Sequence, residues 1–362
     1  MELYKLYDKA LDLLPLDTDE GMHLYTMAPL EELMLLAGRL RQVHNEGNAV
    51  GWMIDRNVNL TNICFSQCTF CNFCRKKNSE DAYVTTIDQY RDKIDEMYAL
   101  GGDQLLLQGG MNPELGLDFY TGLFRTLKGM YPSLKLHALG PPEIVYIAGK
   151  EKRSYREILV RLMEAGLDSL PGAGAEILSD RVRKIVSPAK ATSDEWLGVM
   201  REAHLLNLPT SATMMYGHIE TIAERVEHLI KLRDLQAEKP HGNYGFITFI
   251  PWPFQDEGTV LQVRHGIKSS YSGPGYLRMI AISRIILNNI RNIQASILTV
   301  GRETGMLSLH AGANDLGSVM IEENVVSAAG ASNRFNAREM QSIIREAGFA
   351  PVRRNQKYEP LE

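Results

Sequence analysis

The sequence predicts an α/β chain closed into a TIM-type (β/α)8 barrel with an N-terminal helical extension. Two observations carry that expectation. From about residue 50 onward, short and almost wholly apolar segments alternate with longer amphipathic ones, the rhythm of parallel βαβ units. Seven or eight such units favour a closed barrel over an open sheet. A third observation agrees: no G-x-G-x-x-G follows the first strand, as a doubly wound dinucleotide-binding sheet would require.

Each element follows from its residues. Residues 1–49 read as a helical cap in front of a barrel that takes residues 50–362 and ends in a C-terminal extension. Leu30, Leu33, Met34, Ala37 and Leu40 recur at helical spacing, with Pro29 suited to the start of that helix and Gly47 to its end. Residues 50–60 alternate and are rich in strand formers. Ile87, Tyr90, Ile94 and Met97 mark one face of a helix. Residues 104–107 form an apolar strand between the pairs Gly101-Gly102 and Gly109-Gly110. A helix over 118–130 and a strand over 134–139 lead to Gly140-Pro141-Pro142. A helix over 155–165, a strand over 167–170, and helices near 174–185 and 194–206 come next. Residues 210–216 read as a strand, 222–236 as a helix, and 246–250 as a strand before Pro251-Trp252-Pro253-Phe254. A helix over 275–289, a strand over 293–300 and a short eighth strand near 309–313 complete the count. Residues 255–273 are the longest polar connection, and a barrel loop of that length tends to be functional. The tail from residue 349 either closes the barrel bottom or stays loose.

Composition narrows the class. The 362 residues are 44% hydrophobic and 23% charged, ordinary for a globular protein. A net charge of -5, with no basic run, argues against nucleic acid. No apolar run approaches the ~20 residues of a membrane span. The start, Met1-Glu2-Leu3-Tyr4, lacks the charged and apolar regions of an export signal. Together with clustered, reduced thiols, this points to the cytoplasm.

All four cysteines lie between Cys64 and Cys74. Cys64, Cys68 and Cys71 follow a C-x3-C-x2-C spacing, with Phe70 before the third. Three thiolates on one loop can hold three irons of a [4Fe-4S] cube and leave the fourth open to a small molecule. A structural zinc site would need four ligands, commonly as two separated pairs. An electron carrier would need Cys74 as a fourth iron ligand; otherwise Cys74 is a small side chain beside the cluster. An open iron suits S-adenosyl-L-methionine, whose amino and carboxylate groups can chelate it. The hard chemistry then belongs to the cofactor and the protein orients it.

With these cysteines and Phe70, the chain resembles the radical S-adenosylmethionine superfamily. Further blocks carry the resemblance over nearly everything from residue 50: Thr61-Asn62-Ile63-Cys64, Leu107-Gln108-Gly109-Gly110, His137-Ala138-Leu139, Gly174-Ala175-Glu176-Ile177, Tyr216-Gly217-His218-Ile219-Glu220-Thr221 and Gly312-Ala313-Asn314-Asp315. They are similar to the branch that handles futalosine derivatives and deazaflavin precursors. Trp252-Pro253-Phe254-Gln255 and the run from Leu316 to Asn324 are most similar to members that cyclise dehypoxanthine futalosine on the way to menaquinone. Aminofutalosine- and deazaflavin-forming siblings share most of these blocks. The resemblance implies a radical S-adenosylmethionine barrel, a [4Fe-4S] cluster on Cys64, Cys68 and Cys71, and an external one-electron reductant. It also implies hydrogen abstraction from C4' of the substrate ribose, closure onto the benzoate ring, and loss of a proton and an electron.

Roles for single residues follow from that frame. Phe70 packs near adenine, and Gln108 at the far end of its strand faces the cavity. Asp103 precedes its strand and is a poor match to the acid of a Gly-Gly-Glu segment. Glu176 accepts paired ribose hydroxyls, or else answers a helix dipole. His218 shuttles the proton lost on rearomatisation. His137 and Asn314 meet the substrate, and Asp315 is the candidate base among the acids after the last strand. A substrate carboxylate wants a cation, for which Arg278 is chosen over Arg284 and Arg302. Ala173, Ile297 and Arg302 depart from what relatives carry at those places.

Overall fold

Three helices precede the first strand in a computed structural model that describes residues 2–361. They are α1 (Leu3–Leu11), α2 (Thr18–Met27) and α3 (Leu30–His44). A capping box starts α2, with Asp17 accepting from the Glu20 N–H and Glu20 answering the Asp17 N–H. Leu33, Leu36, Ala37 and Leu40 turn inward along α3.

The chain then enters the barrel in one bent strand, β1 (Ala49–Met53) and β2 (Asp55–Asn59). Then come α4 (Ile87–Ala99), β3 (Gln104–Gln108), α5 (Leu117–Met130), β4 (Lys135–Ala138), α6 (Pro141–Glu151) and α7 (Tyr155–Ala165). Next are α8 (Asp180–Val186), α9 (Ser193–Leu205), β5 (Thr210–Tyr216), α10 (Ile222–Glu238), β6 (Phe246–Pro253) and α11 (Val260–His265). The chain ends with α12 (Gly273–Ile286), β7 (Asn292–Ile293), α13 (Ile297–His310), β8 (Asp315–Ser318), α14 (Ala337–Glu346) and β9 (Ala350–Arg353).

All strand pairs are parallel, and they close a ring. β2 pairs with β3 and β3 with β4; Ser169 bridges to His137, and Leu170 to Thr210 of β5. β5 pairs with β6 and β6 with β7; Gln294 bridges to Asp315, and β8 pairs with β1. The barrel expectation holds. The segment 167–170 takes its place in the ring through bridges alone. Residues on β3 show the alternation: Gln104, Leu106 and Gln108 face the interior, while Leu105 and Leu107 are buried on the outer side.

Four expectations change. The helix near 174–185 is loop as far as Ser179 and then the seven residues of α8. The strand read over 293–300 is two residues of β7 followed by a helix. Ile297, Val300, Ser308 and Leu309 are buried at helical spacing, and Gly301, at φ 79, kinks α13. The eighth strand is Asp315–Ser318, not 309–313, which ends α13 and turns. The tail does not dangle: β9 pairs in parallel with β1, below the level where β2 meets β3, and brings Arg354, Gln356 and Tyr358 under the barrel. The N-terminal helices pack on α10 and α12. Among the described residues no helix is long and apolar enough to cross a membrane.

Candidate active site

The loop after β2 carries the cysteines over the barrel mouth. Its ends are tied by Cys64 N–H to Arg75 O (3.1 Å), Arg75 N–H to Asn62 O (2.8 Å) and Phe65 N–H to Met111 O (3.1 Å). Gly110 lets the chain after β3 run directly beneath it. A Cβ there would meet Ile63 O at 2.2 Å, so no other residue fits. From the other side, Leu261 N–H of α11 reaches Thr69 O at 2.9 Å. The long 255–273 connection therefore lies against the cysteine loop.

Cys64, Cys68, Cys71 and Cys74 are free thiols lining one cavity of about 380 Å³. Ser66 Oγ stands 2.8 Å from Cys64 Sγ and 3.5 Å from Cys68 Sγ. The Met111 N–H donates to Cys64 Sγ at 3.2 Å, and the Cys74 thiol to Cys64 O at 3.2 Å. The Cys74 hydrogen bond, then Ser66 and the Met111 N–H, hold the Cys64 thiol well below its ordinary value. Burial pushes Cys68 up to about 11. Unbridged thiols opening on one cavity are the donor set an iron-sulfur cube requires.

Beside them is a buried charged group. Glu176 stands at φ 40, four residues before α8 begins, so it does not answer that helix's dipole. Its Oε1 accepts from Lys190 Nζ at 2.9 Å. Burial alone would depress the Lys190 ammonium, but Cys68, Glu176 and Glu143 outweigh it and raise its pKa. Burial raises Glu176, and Lys190 and Arg183 more than reverse this. Glu143, in the first turn of α6, is pushed up to about 7 by burial, and its Oε2 has no partner among the described residues. Lys190 Nζ also sits 5.5 Å from the centre of the Phe70 ring.

Phe70, Gln108, Glu176 and His137 line the cavity together with Cys64, Cys68 and Cys71. His137 Nδ1 is 2.7 Å from Ser169 Oγ; burial, then Arg354, hold its imidazole down to about 4, hence neutral at pH 7. The other four sequence candidates lie outside that wall. His218 turns back on its own loop: Ile219 N–H donates to Nδ1 at 2.8 Å and Nε2 reaches Met215 O at 3.1 Å. Asp315 is paired with Arg354 at 2.5 and 2.9 Å and also accepts the Gly317 N–H at 2.7 Å, so three of its four lone pairs are taken. Asn314 accepts from Arg284 at 2.8 Å and from Ile293 N–H at 2.9 Å. Arg278 donates to Tyr25 O and Ala28 O at 3.0 and 2.8 Å, stitching α2 to α12. Arg284 is bound to backbone carbonyls within the fold, and Arg302 pairs with Glu346 on the surface.

The cavity also presents residues the sequence reading missed. Lys190 stands in a patternless loop. Glu143 had a signal: an acid in the first helical turn after a strand faces a barrel mouth. Arg354, Gln356 and Tyr358 arrive from the tail, and no local pattern announces that.

Two family models match the chain: "Radical SAM superfamily" over residues 58–232 and "CofH/MqnC C-terminal region" over 243–362. A cyclic dehypoxanthine futalosine synthase of Streptomyces coelicolor is 40% identical, over 99% of this chain and 89% of that protein. A 5-amino-6-(D-ribitylamino)uracil–L-tyrosine 4-hydroxyphenyl transferase of Methanosarcina acetivorans is 36% identical, over 95% and 90%. The crystal structure of methylornithine synthase (PylB) superposes with a TM-score of 0.70 at 20% identity, over 96% and 97%, a likeness of fold. Members of this superfamily work with a [4Fe-4S] cluster and S-adenosylmethionine, and the free thiols over the barrel mouth suit that pair. The chain belongs to the radical S-adenosylmethionine superfamily, within the branch that shares the CofH/MqnC C-terminal region.

Proposed function

We propose that this enzyme converts dehypoxanthine futalosine to its cyclic form, a step of menaquinone biosynthesis. The observation that carries the reading is 40% identity, along 99% of the chain, to a protein of that activity. When bound, the cluster and S-adenosylmethionine supply one-electron, hydrogen-abstracting chemistry, primed by an external reductant. The substrate loses hydrogen from ribose C4', joins that carbon to its benzoate ring, and regains aromaticity by losing a proton and an electron.

The chain's residues hold and orient. Cys64, Cys68 and Cys71 would hold the cluster, with Cys74 outside the ligand set. Glu176 would take ribose hydroxyls of the cofactor, with Lys190 as its counter-charge and Phe70 alongside. Gln108 and His137 face the interior, where substrate lies; a neutral imidazole can accept or donate one hydrogen bond there. The ring of helices and the loops over the mouth keep water from a reactive carbon.

A second reading is the ribityl-uracil transferase activity, since 36% identity to such an enzyme spans 95% of the chain. Anaerobic incubation of reduced, reconstituted enzyme with S-adenosylmethionine and dehypoxanthine futalosine decides between them. Cyclised product is expected. No product, with turnover of 5-amino-6-(D-ribitylamino)uracil and tyrosine instead, would establish the second reading.

A further inference from the structure

Two hydroxyls on β5 face the cavity with a polarity fixed by the neighbouring backbone. Ser211 and Thr213 both line it. The ladder that joins residues 167–170 to β5 runs as far as the Ser211 N–H, which donates to Leu170 O at 3.2 Å, and then meets Pro171. Beyond that point two side chains complete it on one residue. The Gly172 N–H donates to Ser211 Oγ at 3.0 Å, and Thr213 Oγ1 donates to Gly172 O at 2.7 Å. A Cβ on Gly172 would collide with Ser211 O, so this close approach needs glycine. A backbone N–H can only donate and a carbonyl can only accept. The Ser211 hydroxyl therefore keeps its hydrogen for another partner, and the Thr213 hydroxyl keeps only lone pairs. Among the described residues neither finds that second partner. Ser211 is only 5% exposed, and a buried donor is normally matched by protein, water or ligand. Unlike a side-chain amide, neither group can reverse its role by turning.

Their heights suit one orientation of the substrate. The Met215 N–H donates to Glu176 O at 3.0 Å, which sets the residue that would take the cofactor ribose level with the upper end of β5. Thr213 lies two residues lower, about 7 Å, and Ser211 four, about 13 Å, at about 3.3 Å per residue. The upper position is thus an acceptor near the cofactor and the lower one a donor. Met53 and Leu316, low on their strands, give the deeper cavity apolar wall. Dehypoxanthine futalosine carries hydroxyls on its ribose, and a short saturated chain leads from C4' to an aryl ketone. Hydrogen leaves C4', so the ribose lies beside the cofactor and the ketone falls lower. A hydroxyl can donate to Thr213; a ketone can only accept, and Ser211 is a donor. The reverse orientation would set the ketone oxygen against the lone pairs of Thr213. We propose that Thr213 accepts a ribose hydroxyl and Ser211 donates to the ketone, and that Gly172, by fixing both, holds the substrate with its aryl ring toward the barrel floor. The proposal rests on the cyclisation reading and names the atoms that two side chains of that site hold.

The test is equilibrium titration of reconstituted, unreduced enzyme with S-adenosylmethionine present, so that nothing turns over. The ligands are dehypoxanthine futalosine, the same compound with a methylene in place of the ketone, and its 2'- and 3'-deoxy forms. The proteins are wild type, Ser211→Ala and Thr213→Val. Wild type should bind the ketone about tenfold more tightly than the methylene compound. Ser211→Ala should bind those two within about twofold of each other, while Thr213→Val keeps the preference. Wild type should also lose about tenfold on at least one deoxy form, a loss that Thr213→Val no longer shows and Ser211→Ala still does. These are ratios within one protein, so a general loosening around Gly172 does not produce them. Circular-dichroism melts and iron content check the fold, and the wild-type ratios need no variant. Equal wild-type affinity for ketone and methylene forms, or for all the ribose forms, would overturn the proposal and leave the cyclisation reading standing. Ratios that survive in both variants, or vanish from the wrong one, would overturn it too. No binding of dehypoxanthine futalosine by wild type would refute the cyclisation reading and the proposal with it.

Discussion

Lys190 Nζ lies 2.9 Å from Glu176 Oε1, the carboxylate buried and the lysine half-buried in the cavity wall next to Phe70. Without that ammonium, the Glu176 and Glu143 carboxyls would share the wall with Arg183 as the nearest cation, and its guanidinium is already bound to the carbonyls of Gly174 and Ala175. Removing one partner of a buried pair costs about 3–5 kcal/mol. Lys190→Met should therefore lower the melting temperature and weaken S-adenosylmethionine at least tenfold in equilibrium binding. Lys190→Arg should recover part of both. A variant that melts early but binds the cofactor normally would make Lys190 a purely structural group.

The fourth thiol invites a direct test. Cys74 donates to a backbone carbonyl of the loop, Cys64 O, and so helps to shape the loop. Cys74→Ser keeps a donor there. The expected outcome is about four irons and four sulfides per chain after anaerobic reconstitution, against near-complete loss in Cys64→Ser. Loss of the cluster from Cys74→Ser would mean that every iron has a protein ligand, as an electron carrier requires.

The barrel rhythm and the cysteine loop are legible in the sequence because each is a local signal. Contacts between distant segments are not. Asp315 and His218 have the right chemistry after the right strands, yet orientation is set by register, and one residue reverses a side chain. Asp315 sits at the base of β8, below a register shift against β1, where its carboxylate is bound by Arg354 beneath the cavity floor. His218 follows Gly217 at φ 92, which turns the loop back on itself. Ile297-Leu298-Thr299-Val300 has strand-forming side chains but opens a helix, because tertiary packing overrides a weak propensity. Lys190 meets Glu176 and Phe70 only once the loops around it are folded.

Arg278 tests the distinction between site and scaffold. Its guanidinium joins the carbonyls of Tyr25 and Ala28 at the end of α2 and does not line the cavity. Arg278→Ala should cost about 1–3 kcal/mol in urea unfolding, since it strands two carbonyl acceptors. The KM for substrate should stay within about twofold. A large rise in KM at unchanged stability would return Arg278 to the substrate pocket.

Acid should unfold this protein through its buried histidines, and His228 shows why. The ring is fully buried against Phe249, its Nδ1 accepts the Leu178 N–H at 3.0 Å, and its Nε2 has no partner among the described residues. Burial, then Lys231, with a smaller push from Arg183, holds it down to about 3 against an ordinary 6.5. The folded value lies below the unfolded one, so the unfolded chain takes up the proton first. The stability linked to this group is complete above about pH 6.5 and is lost as pH falls toward 3. At pH 5 the loss reaches about 2 kcal/mol. His204, held down to about 3 chiefly by burial, adds a similar slope. His228→Asn keeps an acceptor for the Leu178 N–H and cannot take up a proton. Urea unfolding at pH 7 and pH 5 should show wild type losing about 2 kcal/mol more than the variant over that interval. Equal acid losses in the two proteins would mean that the ring is reached by water and protonates without unfolding.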